Sequence, residues 1–414
     1  MPPLYRSRPG AHEIKPASAE RATEVGPDIW VSPGLSNAYL IRTPAGRVIV
    51  NTGMGFEAGV HRANFDAVDS GPVRWIVLTQ GHYDHVGGVD TFREPATQVV
   101  AHANFGIWRD DNERLEAFRS RNAAFAWLHA IMAALEHAKR RSAGDLPAQS
   151  RPEPTATFAD TLHFVCGGRS FDLLSTPGGE TTDSIVVWLP ADRICLCGNV
   201  FGALFGHIPN LVTMRGDRYR DALQVADSIE RVRQLEPECL LTGHFEPIRG
   251  RELIQRELVR LRDAVLFLHD ETVKGMNAGR DVHTLMRTIE LPPELDVGQG
   301  YGKVAWNVRA IWENYAGWFH HRSTSELYPV PPAAAFADLV ELAGAEALVT
   351  RARRHLEAGE TVEALQLSEI VLSVDNAHVD ARVVALGAHE ALLARSVNFW
   401  ETAWLRRQIE RLRA

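Results

Sequence analysis

A chain of 414 residues that is 45% hydrophobic and 23% charged is neither fibrous nor disordered, and it is long enough that two domains are expected. Its formal net charge of −8, with no long Lys/Arg run, argues against nucleic acid or an anionic membrane surface as the main partner and leaves small-molecule chemistry. Four cysteines, far apart or as a C-x-C on an apolar run, suggest neither a disulfide framework nor a zinc knuckle, and a reducing compartment follows.

The first 25 residues are polar and proline-rich and read as a loose segment. They hold no apolar core of a secretory signal, and no run of about 18 apolar residues occurs along the chain. A cytoplasmic address without membrane insertion is expected. Short β-rich runs follow at 29–32, 37–43, 47–51, 75–80 and 98–102, separated by Pro/Gly turns and one helical stretch. From about 105 to 142 apolar residues recur at helical spacing, with Phe118, Phe125, Leu128, Ile131, Met132 and Leu135 on one stripe. That stripe reads equally as ordinary core or as a lid over an apolar substrate. Strand signals return between 161 and 197, a helix is expected around 217–234, and the apolar run ECLLTGH closes the series near residue 250. Strands in two sets with helices outside predict a layered α/β domain over 26–250. Beyond 250 amphipathic helices take over, and three of them after PVPP (329–332) are TPR-like, so 251–414 reads as a helical packing or dimerisation module.

The chemistry concentrates in TQGHYDHVGGVDT (79–91), TPGGETTDS (176–184) and LLTGHFEP (240–247). A buried strand ending at Thr79 would present residues 80 and 82 on one side of a loop, with Asp84 and His85 opening the next helix, so several donors converge. Imidazole with carboxylate suits zinc and other divalent ions. His244, in a Gly-His-x-x-Pro turn, fits as a distant ligand. Arg215 could hold an anion or simply pair with Asp217, and His207 reads as an acid or as a packing residue.

QGHYDHVGG resembles the HxHxDH-x-GG signature of the metallo-β-lactamase superfamily, and the chain as a whole is similar to its alkylsulfatase branch. PNLVTMRG (209–216) resembles that branch's HNLYTLRG segment, whose Asn and Arg hold the sulfate. IELPPEL, GYGKVAWNVRAIWENYAGWF and LAGAEALVTRAR resemble its dimerisation domain. The resemblance implies an αββα sandwich followed by an all-α domain, a homodimer, and a hydrolase that uses one or two divalent ions, zinc foremost, on an anionic ester. It also implies two ligand sets: Gln80, His82 and Glu180 for one ion, and Asp84, His85 and His244 for the other, with Asn199 at the bridge and Asn210 and Arg215 on the sulfate. Asp84, His85, Arg215 and Asn210 are the expected catalytic residues. The branch's C-terminal sterol-carrier-like domain has no counterpart in this sequence.

Three positions depart from that pattern. Gln80 stands where the family has histidine, Asn199 where it has an acidic bridge, and Asn51 where the superfamily often has aspartate. An amide is a weak zinc ligand, and two dications need shared anions between them. The expected function is therefore a metal-dependent hydrolase resembling an alkylsulfatase. The alternatives are a catalytically weak dimeric paralogue that binds an anionic ligand, or a hydrolase of another ester, a lactone or a phosphoester.

Overall fold

The protein is represented by a computed structural model that describes residues 2–17, 21–142 and 144–414. The chain divides into two compact units, Met1–Tyr315 and Ala316–Ala414.

The first unit is built on two sheets. One runs in sequence order through β1 (Thr23–Gly26), β2 (Ile29–Ser32), β3 (Ala38–Thr43), β4 (Gly46–Val50), β5 (Val73–Val77), β6 (Gln98–His102) and β7 (Ala156–Phe158). Its first four strands are antiparallel, and β4 to β7 are parallel. The other holds β8 (Thr161–Cys166), β9 (Arg169–Ser175), β10 (Ile185–Leu189), β11 (Ile194–Gly198), β12 (Cys239–Thr242) and β13 (Ile248–Arg249), with β11 and β12 parallel. Period-2 alternation decides which side chain goes where. Tyr39, Ile41, Val48, Val50 and Val77 turn toward Phe171, Leu173, Val187 and Leu196 of the other sheet and form the core between the layers. Leu40, Ile49, Ile76 and Val99 turn the other way.

That outer face is covered by α1 (Ala58–Asp66), α2 (Tyr83–Val86) and α3 (Val89–Phe92), through Phe65, Val89 and Phe92. The expected αββα layering is what the structure shows. The stretch 105–142 is helical as expected and forms three helices, α4 (Phe105–Arg114), α5 (Glu116–Asn122) and α6 (Ala124–Arg141), which break at Leu115 and Ala123. Phe118, Leu128 and Met132, on the stripe that reads as core or as lid, are exposed and so do not belong to a core. The helix expected at 217–234 begins later, as α7 (Ala222–Gln234), because Asp221 accepts the Gln224 N–H at 2.9 Å and caps it. Asp217 is thereby left in a turn, where it meets arginines. Next come α8 (Arg251–Asn277), α9 (Val282–Thr288) and α10 (Val304–Ala316).

The N-terminal segment is tied down at several points. The Leu4 N–H donates to Glu257 at 3.1 Å, Arg6 pairs with Asp296 at 2.7 Å, and the Ala17 N–H donates to Glu57 at 2.8 Å. The second unit contains α11 (Phe336–Ala343), α12 (Ala345–Glu357), α13 (Thr361–Val374), α14 (Val379–Arg395) and α15 (Phe399–Arg413), which pack in succession around Val349, Ala352, Ala364, Val371, Ala381 and Val384. Among the described residues no helix is long and apolar enough to cross a membrane.

Candidate metal centre

The candidate residues gather where the carboxyl ends of parallel strands from both sheets meet. In an α/β layer this is where loops can present side chains to one point. The loop after β5 brings Gln80 and His82, and α2 brings Asp84 and His85. Asn199 follows β11, His244 follows β12, and Glu180 lies between β9 and β10. Gly243 lets the turn close: a Cβ there would stand 2.1 Å from Asn199 Oδ1 and 2.9 Å from His85 Cε1.

Asp84, His85 and His244 come together, with one ligand atom from each lying within 4.8 Å of the others. Asp84 Oδ2 is 3.5 Å from His85 Nε2 and 3.9 Å from His244 Nε2. Burial lowers the His85 pKa to about 3, and it lowers that of His244 to about 4 against the pull of Asp84. Both rings are neutral at pH 7, as a metal ligand requires. Two imidazoles and a carboxylate fit a divalent ion, so this second position passes the test. Asn199 stands over it, with Nδ2 3.2 Å from both His85 Nε2 and His244 Nε2.

Asn51, at the end of β4 with φ of +59°, lies behind His85. Its Oδ1 accepts the Thr79 backbone N–H at 3.0 Å, which fixes the amide, and its Nδ2 faces His85 Nδ1 at 2.9 Å. A donor on Nδ1 leaves the single proton of the neutral ring on Nε2, toward Asn199. With the Asn199 amide turned over, Oδ1, otherwise without a hydrogen-bond partner, accepts that proton.

The first position differs. His82 is buried, and burial, aided by Arg215, holds its pKa well below the usual histidine value. Gln80 Nε2 is 2.7 Å from His82 Nδ1, while Gln80 Oε1 has no partner. On the other side of the ring, Arg215 Nη2 stands 3.4 Å from His82 Nε2 and 3.8 Å from Glu180 Oε1. A guanidinium lies between the two side chains that were expected to hold an ion. Asp217 anchors it: Arg215 Nη2 is 2.8 Å and Arg215 Nε 3.1 Å from Asp217 Oδ2. Arg119 from α5 reaches the same carboxylate at 3.2 Å and Arg220 at 3.6 Å, while Arg220 also approaches Glu180 at 3.8 Å. Burial alone would raise the Asp217 pKa, but Arg215 and Arg220 drive it far down. Three guanidiniums against two carboxylates leave net positive charge. A dication about 4 Å from a guanidinium would be repelled by about 8 kcal/mol at an effective dielectric of about 20. The residues here do not fit a second ion.

Above these groups opens a cavity of about 320 Å³, walled by Leu35, Met54, Trp108, Trp127 and Ile131 and floored by His82, Asp84, Arg215, Asn199, His244 and Tyr301. The helices α4 to α6 form much of its apolar wall, which is why their outward stripe does not belong to the core. Asn210 is buried but does not line this cavity, and neither atom of its amide has a hydrogen-bond partner. His207 accepts the Gly300 N–H at 2.9 Å and lies edge-on to Tyr5, a packing role. A larger cleft of about 500 Å³ near Met286 to Ala305 contains none of the candidate ligands. Sequence reading missed Arg119 and Arg220, whose only linear signal was charge.

Residues 31–244, just over half the chain, match the metallo-beta-lactamase superfamily, and residues 282–413 match the alkyl sulfatase dimerisation family. A linear primary-alkylsulfatase of a Pseudomonas strain is 27% identical over 392 residues, covering 90% of this chain and 73% of that protein. An alkyl/aryl-sulfatase of Saccharomyces cerevisiae is 26% identical over 356 residues, covering 81% of this chain and 54% of that one. The solved structure of a stereoselective inverting sec-alkylsulfatase from Pseudomonas superimposes with a TM-score of 0.81 at 22% identity, covering 95% of this chain and 66% of that one. At that identity the likeness speaks for the fold.

Proposed function

Since this chain belongs to the metallo-beta-lactamase superfamily, we propose that it is a metal-dependent hydrolase of anionic esters, with a sulfate ester of a partly apolar alcohol as its substrate class. The observation that carries this reading is the convergence of Asp84, His85 and His244, of which Asp84 and His244 lie with Arg215 on the floor of one apolar-walled cavity. The same names on two relatives support it. Asp84, His85 and His244 would hold a divalent ion, zinc by ligand type, which when bound supplies Lewis-acid polarisation and activates water.

The rest is the work of the chain's own side chains. Arg215, fixed by Asp217, offers a guanidinium to the anionic head of the ester. Trp108, Trp127 and Ile131 exclude water and receive the apolar part. In the same proposal the functional division falls at residue 250, with the helical part providing a homodimer interface although α8 to α10 fold into the first compact unit. A cytoplasmic address belongs to it as well, resting on four buried free thiols.

The competing reading, a weakly active paralogue that retains an anionic ligand, is favoured by the amides of Asn51 and Asn199 around His85. Purified zinc-loaded protein assayed on a long-chain alkyl sulfate, the matching phosphate monoester and a carboxylate ester decides between them. The hydrolase reading expects turnover of the sulfate that His85→Ala abolishes. Absence of turnover on all three esters leaves the binding reading.

A further inference from the structure

We propose that the Arg215 guanidinium is the resident cation of the first metal position, so that the centre works as one ion beside one built-in guanidinium, and a substrate anion is held between them. The inference rests on the reading of Gln80, His82 and Glu180 as the remains of a metal-binding set, and it goes beyond the hydrolase reading by assigning what now fills that place.

Four observations point the same way. Arg215 Nη2 lies within 3.4 Å of His82 Nε2 and 3.8 Å of Glu180 Oε1, the two atoms an ion would take. The Gln80 amide is turned to His82 Nδ1 at 2.7 Å. Turned over, its unpartnered Oε1 accepts the Nδ1 proton and leaves the Nε2 lone pair to accept an Arg215 N–H, so that the chain from Gln80 through His82 to Arg215 is satisfied without metal. Asp217 grips two nitrogens of the guanidinium at 2.8 and 3.1 Å, a fixed fork rather than a swinging side chain. Asn199, at the bridge, brings no negative charge to offset a second dication. A histidine at position 80, an acid at 199 and a displaced arginine would all be needed to restore two ions.

A cation that is part of the chain makes two predictions that do not depend on turnover. Chelated wild-type protein, titrated with zinc and dialysed, should hold one ion per chain by elemental analysis, whereas the Gln80→His, Asn199→Asp, Arg215→Gln triple variant should hold two. Inorganic sulfate should bind the metal-free wild type by calorimetry, and about tenfold or more weakly to Arg215→Gln. Arg215→Lys, which keeps a charge but not the fork, should fall between them. Two tightly held ions in the wild type would overturn the proposal, as would equal sulfate binding with and without Arg215. If the triple variant fails to fold by circular dichroism, the sulfate titration of the single variant decides alone. One ion and Arg215-dependent sulfate binding without any ester turnover would sink the hydrolase reading and leave this one standing. Turnover with two ions would do the reverse.

Discussion

Asn51 Nδ2 sits 2.9 Å from His85 Nδ1 and puts a hydrogen-bond donor where a metal-ligating histidine needs an acceptor. Ligating imidazoles normally donate their outer N–H to an oxygen, which fixes the tautomer that presents a lone pair to the metal. Here the ring must exchange tautomer, and the Asn51 amide must turn its oxygen from the Thr79 N–H to the new Nδ1–H, before His85 Nε2 can bind an ion.

Asn51→Asp should therefore raise zinc affinity by roughly 10–100-fold, since an aspartate accepts from both Thr79 and His85. Competition against a chromogenic chelator measures it. Unchanged or weaker affinity would show that Asn51 does not set the His85 tautomer.

Glu57 gives the metal-free protein a pH dependence of stability. It is buried with Ala17 and Leu35 N–H groups on its carboxyl, and burial raises its pKa from 4.5 to about 7. The folded chain thus holds this proton more tightly than the unfolded one, so its contribution is full below pH 4.5 and is lost as pH rises to about 7. The stability of Glu57→Gln relative to wild type should rise by on the order of 2–3 kcal/mol across that window, read from urea midpoints. A flat difference contradicts it.

The apolar wall should act on the tail of the substrate and leave its head untouched. Trp127→Ala is expected to raise KM for a long-chain alkyl sulfate by roughly tenfold, the loss of about 1.5 kcal/mol of apolar contact, and to change a short-chain ester little. Equal effects on both chain lengths would mean the wall does not contact the tail.

In the helical unit, Val379 and Val383 lie one turn apart on α14 and are 72% and 57% exposed. If this face lies in a homodimer interface, light scattering should give twice 45.9 kDa for wild type, and the Val379→Asp, Val383→Asp double variant should run as a monomer. A wild-type mass of one chain at micromolar concentration rules the dimer out.

The layering was legible in the sequence because period-2 alternation in runs such as Tyr39, Leu40 and Ile41 is a local signal that burial on both faces reinforces. The metal cluster was legible because Asp84 and His85 sit together in the chain and His244 ends an apolar strand. The arginine cluster was not. Arg119 and Asp217 are 98 residues apart, and a charged residue on an amphipathic helix reads as solvated surface until the fold brings its partner. The wall was legible only as one of two equal readings, core or lid, because helical spacing over 105–142 does not say what the stripe faces. In the fold the helices break at Leu115 and Ala123, and Phe118, Leu128 and Met132 lie outside.

Strands β6 and β7 are direct parallel neighbours, with Val100 opposite Ala156 and His102 opposite Phe158, so everything from residue 103 to 155 is one crossover hung on an intact sheet. The part of the cavity wall that Trp108, Trp127 and Ile131 supply is therefore an exchangeable cassette. Transplanting a crossover of different length or bulk should retune which molecules enter, while the strand ends that carry His82, His85 and His244 keep their register. Arg119 is one stitch binding cassette to centre, beside Trp108 against His82 and Asp111 on Arg218, and a graft that drops it leaves Asp217 with two guanidiniums instead of three.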